Sequence, residues 1–231
     1  MTKHIIVTIF VLLLSAFIFE STNTDIWLQD YLYNFSSNTW VIDRNEPVLK
    51  FILYDGIKTV FIIFILAITG SLIFLRKNKV IIEYKSGLLI VALSTILIPV
   101  TVGALKATTN TPCPRALTHY HGSYPYVTFL GHYPEDFKQH GKTKCFPAGH
   151  ASGGFALMSL FFLFKKRRHK IIALVSTLII SWAIGFYKIF IGDHFLSHTI
   201  DSMILAWLII LIIVSVVKKH NEDISLSFRL Q

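Results

Sequence analysis

The sequence predicts an all-α fold, a polytopic membrane protein of about six transmembrane helices in which residues 1–231 form a single domain. Three observations lead to this class. Charged residues make up only 15% of the chain, against roughly 25% in a soluble domain. Apolar residues make up 53% of it, and they collect in six long stretches. Such a chain needs a bilayer to cover its apolar surface, so an ordinary soluble enzyme is excluded.

The first three apolar stretches cover residues 5–19, 57–75 and 87–105. A helix that crosses a bilayer needs about 20 mostly apolar residues. The first stretch is short and is predicted to be an uncleaved anchor. The alternative is a secretory signal peptide, although no small-residue cleavage site stands out near Glu20. The second stretch ends at the basic sequence RKNK, and the third ends at Lys106, so that charge marks both boundaries.

The last three stretches cover residues 151–164, 171–191 and 200–217. The fourth is also short, and it ends at the basic run KKRRHK. A short polar link around residues 192–199 joins the fifth stretch to the sixth, which ends before Lys218 and Lys219. These boundaries complete a pattern of six spans.

Basic residues predict the orientation of the spans, because cytoplasmic loops next to membrane spans collect Lys and Arg. Thirteen of the 22 Lys and Arg residues fall at the N-terminus, in residues 76–85 and 165–170, or after residue 217, all on one side of the predicted membrane. The N- and C-termini are therefore predicted to be cytoplasmic. This pattern accounts for most of the net charge of +9, which does not indicate nucleic-acid binding.

The opposite side receives residues 107–149, a long connection for a compact domain. Its four histidines are interleaved with Tyr and Phe, a composition too aromatic for a flexible linker, and we expect it to cover a functional site. His119 and His121 form a pair that could bind a metal. Because no Cys or carboxylate stands near them at ligand spacing, we predict no metal site.

Six ionisable side chains lie at the outer mouths of the spans. Three are cations and three are histidines, namely Lys106, Arg115, Lys188, His150, His194 and His198. Ionisable residues in or beside membrane spans are costly and are usually functional. Taken singly, each could instead be a polar side chain that reaches the membrane interface. Their common side favours a site for a polyanion such as phosphate.

These residue types suit phosphoryl transfer, which needs mainly positioning and neutralisation of charge. One histidine can act as the nucleophile, and a second can protonate the leaving oxygen and then activate water. His194 and His198 are four residues apart, so that on a helix they would share one face. The turn before His150 opens a predicted helix, whose backbone N–H groups favour anions.

Three segments of the sequence resemble the signature motifs of the type 2 phosphatidic acid phosphatase superfamily, a family of membrane lipid phosphatases. They are KATTNTPCPR at residues 106–115, PAGH at 147–150 and KIFIGDHFLSH at 188–198. The family pattern is a Lys followed by Arg-Pro, then PSGH, then Ser-Arg followed by a His and an Asp. The first segment is similar to the KxxTNxxCP form of a bacterial subgroup.

The resemblance implies a role for each matched residue. The phosphate-binding residues would be Lys106, Arg115, Lys188, Ala148 and Gly149. The catalytic residues would be His194 as the nucleophile, His150 as the acid and base, and His198 at the position of the family's Asp. Members of the family need no metal, and no cofactor is expected.

The sequence departs from the family pattern at four positions. Ala148 replaces a Ser and removes one hydroxyl ligand. Lys188 replaces an Arg, which removes bidentate phosphate binding. Arg115 follows a Pro instead of preceding one. The fourth departure, at residue 198, concerns the nucleophile itself.

His198 stands where the family has an Asp that supports the nucleophile. A neutral imidazole can still accept a hydrogen bond from His194, but it gives weaker charge support than a carboxylate. Asp193 or Asp201 could supply that charge, or each could be an ordinary surface or capping carboxylate. The sequence leaves these alternatives open.

Cys113 and Cys145 both lie on the outer side, next to the first and second motifs. In an oxidising compartment a disulfide between them would contribute about 3–4 kcal/mol in the chain-entropy model and would hold the two motifs together. The alternative is two free, partly buried thiols. We expect the disulfide.

The sequence thus predicts a lipid phosphatase of a bacterial cytoplasmic (inner) membrane, with its active site facing the periplasm or exterior. The resemblance implies phosphatidic acid, phosphatidylglycerophosphate, undecaprenyl pyrophosphate or a lipid A phosphate as the substrate. One alternative is a lipid phosphotransferase of the same family. Another is a catalytically inactive membrane scaffold or transporter, for which His198 is the main argument.

Overall fold

A computed structural model describes the backbone of residues 1–229 and the side chains of residues 1–220. Its α-helices are α1 (Thr2–Ser21), α2 (Thr24–Asp30), α3 (Pro47–Lys50), α4 (Ile57–Phe74), α5 (Lys79–Thr108), α6 (Gly149–Ala156), α7 (Arg167–Phe190) and α8 (Leu196–Arg229). The strands β1 (Tyr33–Asn34) and β2 (Thr39–Trp40) form an antiparallel hairpin. A π-helical segment, Phe51–Gly56, joins α3 to α4, and 3₁₀ turns cover Pro114–Ala116, Thr118–Tyr120 and Leu157–Phe162.

Five helical segments among the described residues are long and apolar enough to cross a membrane. They are Thr2–Ser21, Pro47–Phe74, Lys79–Thr108, Arg167–Phe190 and Leu196–His220. Each matches one of the predicted apolar stretches to within one residue or contains it fully, so the mostly helical, membrane-capable architecture is confirmed. The total of six spans and the sidedness of the termini stay predictions.

The fourth predicted span is built differently from the others. Residues 149–162 form α6 and then a 3₁₀ turn, and their combined rise is about 24 Å, short of the roughly 30 Å hydrocarbon core. α6 contacts α5, α7 and α8, and its Phe155 and Ala156 are fully buried. Because the neighbouring helices cover it, this segment does not need the length of a lipid-facing helix.

Small residues allow the helices around α6 to approach closely. A Cβ at Gly154 would lie 2.7 Å from the hydroxyl of Ser181 on α7, and a Cβ at Gly185 would lie 2.7 Å from a methyl carbon of Thr199 on α8. Close backbone approach through small residues is typical of packed membrane helices. At these two positions a larger residue would collide with the neighbouring helix.

The basic loops and the three motifs lie at opposite ends of the bundle. Lys165, in the loop before α7, contacts Glu83 near the start of α5, with Nζ 2.5 Å from Oε1. Lys106 lies near the other end of α5, on the order of 35 Å away at the α-helical rise per residue. The two largest basic loops are thus neighbours, and the motif residues are remote from them.

Two chain segments cover the motif end of the bundle, and we call residues 22–46 and 109–148 the cap layer. Its apolar centre contains Tyr33, Leu117 and Tyr120, which pack against Phe195. The predicted covering loop is therefore joined by the segment between α1 and α3, which the sequence did not assign to it.

Buried polar groups fasten the cap layer to the bundle. Gln29 donates a hydrogen bond from Nε2 to the carbonyl of Ile189, at 2.9 Å. Asp25 accepts hydrogen bonds from the hydroxyl and from the backbone N–H of Ser197, and so it caps the start of α8. Burial raises the pKa of Asp25 to about 6, although the bonds from Ser197 oppose the shift.

Candidate active site

An open cavity of about 560 Å³ lies where the cap layer meets the ends of α5, α6 and α7. Its wall is formed by Arg44, Asn45, Lys50, Tyr54, Lys106, Cys113, Arg115, Lys144, Cys145, His150, Tyr187, Lys188, Ile191, Asp193 and His194. Five of the eight predicted phosphate-binding and catalytic residues are in this wall. The other three, Ala148, Gly149 and His198, are not.

The first and third motifs meet through backbone and side-chain contacts. Arg115 lies on the turn that begins at Pro114, and its backbone N–H donates to the carbonyl of Gly192 at 3.0 Å. Gly192 ends α7 with a φ of +70°, a conformation that favours glycine. Arg115 Nε also lies 3.2 Å from a carboxylate oxygen of Asp193. The motifs are therefore coupled in space although about 75 residues separate them in sequence.

Lys188 is buried in the wall of the cavity, with its charge paired. Its Nζ lies 2.9 Å from Oδ2 of Asp193, and 4.3 Å from the ring centroid of Tyr54. A buried ammonium group is costly without such partners. Asp193 thus pairs with two predicted phosphate ligands, and it is not a hydrogen-bond partner of His194, the predicted nucleophile.

His194 and His198 contact each other, but not for the reason that their spacing suggested. α8 begins at Leu196, so that His194 precedes the helix and the two residues do not share a helical face. Instead, the backbone N–H of His194 donates to the carbonyl of Lys188. This turn places Nδ1 of His194 3.5 Å from Nδ1 of His198.

The contact between the two imidazoles has a chemical consequence. When Nδ1 of His194 donates to Nδ1 of His198, the lone pair of His194 is on Nε2. Burial, followed by the charges of His198 and Lys106, keeps the pKa of His194 well below its ordinary value. A neutral imidazole is the form that can act as a nucleophile.

His150 lies on the first turn of α6, just before the predicted fourth span, and it faces the cavity. Its ring contacts Tyr54, with 4.7 Å between the ring centroids. Partial burial, followed by the charges of Lys188 and Lys106, lowers the pKa of His150 to about 4. A bound phosphate dianion would oppose the effect of these cations, so that His150 would be protonated more readily when substrate is present.

Two further residues of the second motif, Ala148 and Gly149, lie outside the cavity wall. Ala148 is fully buried, and its backbone N–H donates to the hydroxyl of Ser202 at 2.8 Å. A Cβ at Gly149 would meet no atom within 4 Å. The chain itself therefore leaves open space at Gly149, whereas the N–H group of Ala148 is already used.

Cys113 and Cys145 lie side by side in the cavity wall. Their Cα atoms are 5.2 Å apart and their sulfur atoms are bonded in the structure, a separation that suits a disulfide. The backbone N–H of Cys145 also donates to the carbonyl of Thr111, at 3.1 Å. The first and second motifs are thus neighbours at this point, as the proposed disulfide requires.

Two residues for which the sequence left another role open, Asp201 and His119, contact other partners in the structure. Asp201 accepts a hydrogen bond from the hydroxyl of Ser15 on α1, at 2.6 Å, and not from His194. His119 contacts Asp30 with 2.8 Å between Nε2 and Oδ1. In the part of the chain that the structure describes, no group of three or more His, Cys, Asp or Glu residues could hold a metal.

Sequence reasoning did not assign seven residues of the cavity wall to the site, which are Arg44, Asn45, Lys50, Tyr54, Lys144, Tyr187 and Ile191. Tyr54 lies in the π-helical segment, a feature that often marks functional sites but leaves no pattern in a sequence. For Arg44, Lys50 and Tyr54, the available signal was a run of basic and aromatic residues just before the second predicted span. Only the packing of the cap layer shows that they face the motifs.

Together these groups can bind a phosphate and transfer it to a histidine. Three cations surround the space in front of His194, and His150 lies on the same wall. Charge neutralisation, a neutral nucleophile and a nearby acid are the elements that phosphoryl transfer requires.

Comparison with known proteins agrees with this geometry. A family model described as the PAP2 superfamily matches residues 87–222, more than half of the chain. No curated protein and no solved structure matches the sequence. The matched region contains all three motifs, and it excludes the segment that contributes Arg44, Lys50 and Tyr54.

Proposed function

Because the chain belongs to the PAP2 superfamily, whose members are phosphatases, we propose that it hydrolyses the phosphate ester or diphosphate of a membrane lipid through a phosphohistidine on His194. The observation that carries the proposal is the joint placement of three cations, the neutral His194 and His150 around one cavity. A scaffold or transporter needs an anion pocket, but it does not need a nucleophile and an acid facing the same space.

Substrate binding begins with exchange of one anion for another. In the free protein the carboxylate of Asp193 pairs with both Arg115 and Lys188 and offsets one of their two positive charges. A phosphate group that approaches His194 competes for the same cations, and Lys106 adds a third. Because a phosphate presents more acceptor oxygens than one carboxylate, it can engage all three cations at once.

The first chemical step transfers the phosphoryl group to the enzyme. Nε2 of His194 attacks phosphorus, a nitrogen–phosphorus bond forms, and the bond from phosphorus to the leaving oxygen breaks. His150 gives its proton to that oxygen, and the lipid leaves as an alcohol or as a monophosphate. His198 accepts the Nδ1–H of His194, and so it stabilises the positive charge that develops on the ring.

The second step regenerates the enzyme. His150, now neutral, removes a proton from a water molecule whose oxygen attacks phosphorus, and the nitrogen–phosphorus bond breaks. Inorganic phosphate leaves and His194 returns to its neutral form. Because the three cations already neutralise the phosphoryl oxygens, this mechanism assigns no role to a metal or to a cofactor.

The apolar helices of the bundle support a lipid as the substrate. The cavity lies at the ends of helices that are apolar enough to be embedded in a bilayer, so that the headgroup can reach His194 while the tail stays in the hydrocarbon region. The basic loops at the opposite end of the bundle support a cavity on the extracytoplasmic side of a bacterial cytoplasmic membrane.

The proposal is tested by measuring phosphate release from several lipid phosphates with the purified protein in detergent. The wild type should release inorganic phosphate without an acceptor lipid, and a chelator should not reduce the rate. His194→Ala should abolish release, whereas His132→Ala, a change at an exposed histidine of the cap layer, should have no effect.

Trapping the intermediate gives an independent readout. Brief incubation with a ³²P-labelled lipid phosphate should label the wild type on a bond that is labile to acid and stable to base, as expected for phosphohistidine. The label should be absent from His194→Ala. Phosphate release by His194→Ala at the wild-type rate would show that the nucleophile is another group.

A further inference from the structure

We propose that the cavity contains a second phosphate subsite, formed by Arg44, Lys50 and Lys144, and that the preferred headgroup is therefore a lipid diphosphate. The inference deepens the proposed function and rests on it. Nothing in the matched family region supplies Arg44 or Lys50, because both lie before residue 87.

The charge in the cavity wall exceeds what one phosphate needs. Six Lys and Arg side chains line the cavity, against a single carboxylate, that of Asp193. A phosphate monoester carries about two negative charges near neutral pH, and the inner cations Lys106, Arg115 and Lys188 already suffice for it. Among the described residues, Arg44 is the one outer cation within 4 Å of a carboxylate, and it shares that carboxylate, Asp193, with Arg115 and Lys188 at shorter distances. A diphosphate would supply the additional charge.

Other carboxylates of the same segment do not serve as that anion. Glu46 accepts a hydrogen bond from the backbone N–H of Leu49, at 2.5 Å, and so it caps α3. Neither Glu46 nor Asp43 lines the cavity, although both are close to Arg44 in the chain. The outer cations therefore face the cavity without a carboxylate of their own.

The two groups of cations are contiguous. The Nε atoms of Arg115 and Arg44 lie 3.2 Å and 3.9 Å from the same oxygen, Oδ1 of Asp193. That oxygen is buried and accepts no hydrogen bond among the described residues, so neither guanidinium is locked to it by a directional bond. Two cations that share one oxygen can instead bind two phosphates that share one bridging oxygen.

The exposed fractions of the cationic side chains show which subsite lies deeper in the cavity. The side chain of Lys188 is 7% exposed, that of Arg115 is 36% exposed and that of Arg44 is 53% exposed. The terminal phosphate would therefore occupy the inner subsite, in front of His194. The phosphate attached to the lipid would occupy the outer subsite, with the tail directed out of the cavity.

This arrangement defines the reaction. Nε2 of His194 bonds to the terminal phosphorus, and the bond from that phosphorus to the bridging oxygen breaks. The lipid monophosphate leaves with the bridging oxygen, which takes its proton from His150. Water then releases inorganic phosphate from His194, so that one water is consumed for each diphosphate. The outer cations stabilise the extra charge on the leaving monophosphate.

The experiment compares farnesyl diphosphate with farnesyl monophosphate, which share one tail. For the wild type, kcat/KM should be at least about tenfold higher for the diphosphate, because hydrogen bonds to charged groups are worth about 1.5–3 kcal/mol. In the double variant Arg44→Ala, Lys144→Ala this preference should fall below about threefold. Lys142→Ala, an exposed change two residues from Lys144 and outside the cavity wall, should retain it.

Two kinetic outcomes would overturn the second subsite. One is equal kcat/KM for both substrates with the wild type. The other is an equal loss of kcat/KM on both substrates in the double variant, which would mean that the outer cations attract any anionic lipid to the membrane surface. Loss of the preference for the diphosphate in Lys142→Ala would contradict the assignment to Arg44 and Lys144.

A binding measurement separates failure of this inference from failure of the proposed function. Inorganic pyrophosphate should raise the thermal unfolding temperature of the wild type more than inorganic phosphate does, and the double variant should lose the difference. If no lipid is hydrolysed but the pyrophosphate effect remains, the phosphatase proposal fails and the subsite stands. If lipids are hydrolysed but the two anions stabilise equally, the subsite fails and the phosphatase stands.

Discussion

Replacing His198 tests whether an imidazole performs the task that a carboxylate performs in the related motif. His198 is buried, and its Nδ1 lies 3.5 Å from Nδ1 of His194. Its ring also contacts Phe146 and Phe195, with centroids 5.3 Å and 5.4 Å away. His198→Phe should therefore keep the aromatic packing and remove the acceptor nitrogen, together with the hydrogen bond of the ring to the backbone of Cys145.

The expected loss follows from the charge that develops on His194. A hydrogen bond to a charged group contributes about 1.5–3 kcal/mol, and each 1.36 kcal/mol changes a rate by about tenfold. His198→Phe should thus lower kcat by about 10- to 150-fold. KM should change by less than about threefold, because His198 is not in the cavity wall and does not contact the substrate.

Two further substitutions at this position refine the test. Asn places its side-chain oxygen near the position of a histidine Nδ1, so His198→Asn should keep kcat within about tenfold of the wild type. His198→Asp should match or exceed His198→Asn, because it restores the charge of the family motif.

The measurements are kcat and KM for lipid phosphate hydrolysis, with thermal unfolding as the control for folding. All three variants should unfold within a few degrees of the wild type. A folded His198→Phe protein with wild-type kcat would refute the reasoning, because His194 would then need no partner at Nδ1.

Three other predictions follow from the contacts of Tyr54, Asp25 and the two cysteines. Tyr54→Leu should lower kcat/KM by about two- to thirtyfold, because the ring that lies 4.3 Å from Nζ of Lys188 contributes about 0.5–2 kcal/mol; an unchanged kcat/KM would contradict a positioning role. The pKa of Asp25 is raised from 3.8 to about 6, so that its favourable contribution to stability is complete below pH 3.8 and is lost as the pH rises through 6. Thermal unfolding of the wild type should therefore show this loss, and Asp25→Asn should remove that pH dependence. Mass analysis without reductant should find no alkylatable cysteine, and Cys113→Ser should lower the unfolding free energy by about 3–4 kcal/mol; alkylation of both Cys113 and Cys145 would exclude the disulfide.

The sequence predicted the helical segments well where a bilayer imposes a simple requirement. A spanning helix must be long and apolar, so that α4, α5 and α7 could be identified from hydropathy alone. The same requirement does not indicate how residues 149–162 are built, because these residues pack against α5, α7 and α8. Their division into α6 and a 3₁₀ turn depends on packing that composition does not record.

Part of the candidate site was predictable because an ionisable side chain in or beside a membrane span costs free energy. Lys106, Arg115 and Lys188 stood out because few ionisable residues occur near the spans, and all three line one cavity. The partner of Lys188 was not predictable, since Asp193 could equally have faced solvent or His194. Its pairing with Lys188 and Arg115 depends on the turn at Gly192, just after the end of α7.

The sequence by itself determined the class of protein, the order of the motifs and the set of candidate residues for phosphoryl transfer. Local composition and the cost of burying charge are sufficient for those conclusions. Only the tertiary structure decided that residues 44–54, which lie outside the family match, complete the cavity, and that His198 in α8 faces His194, which precedes that helix. These contacts depend on how the cap layer packs on the bundle, and long-range packing has no signature in the spacing of residues along the chain.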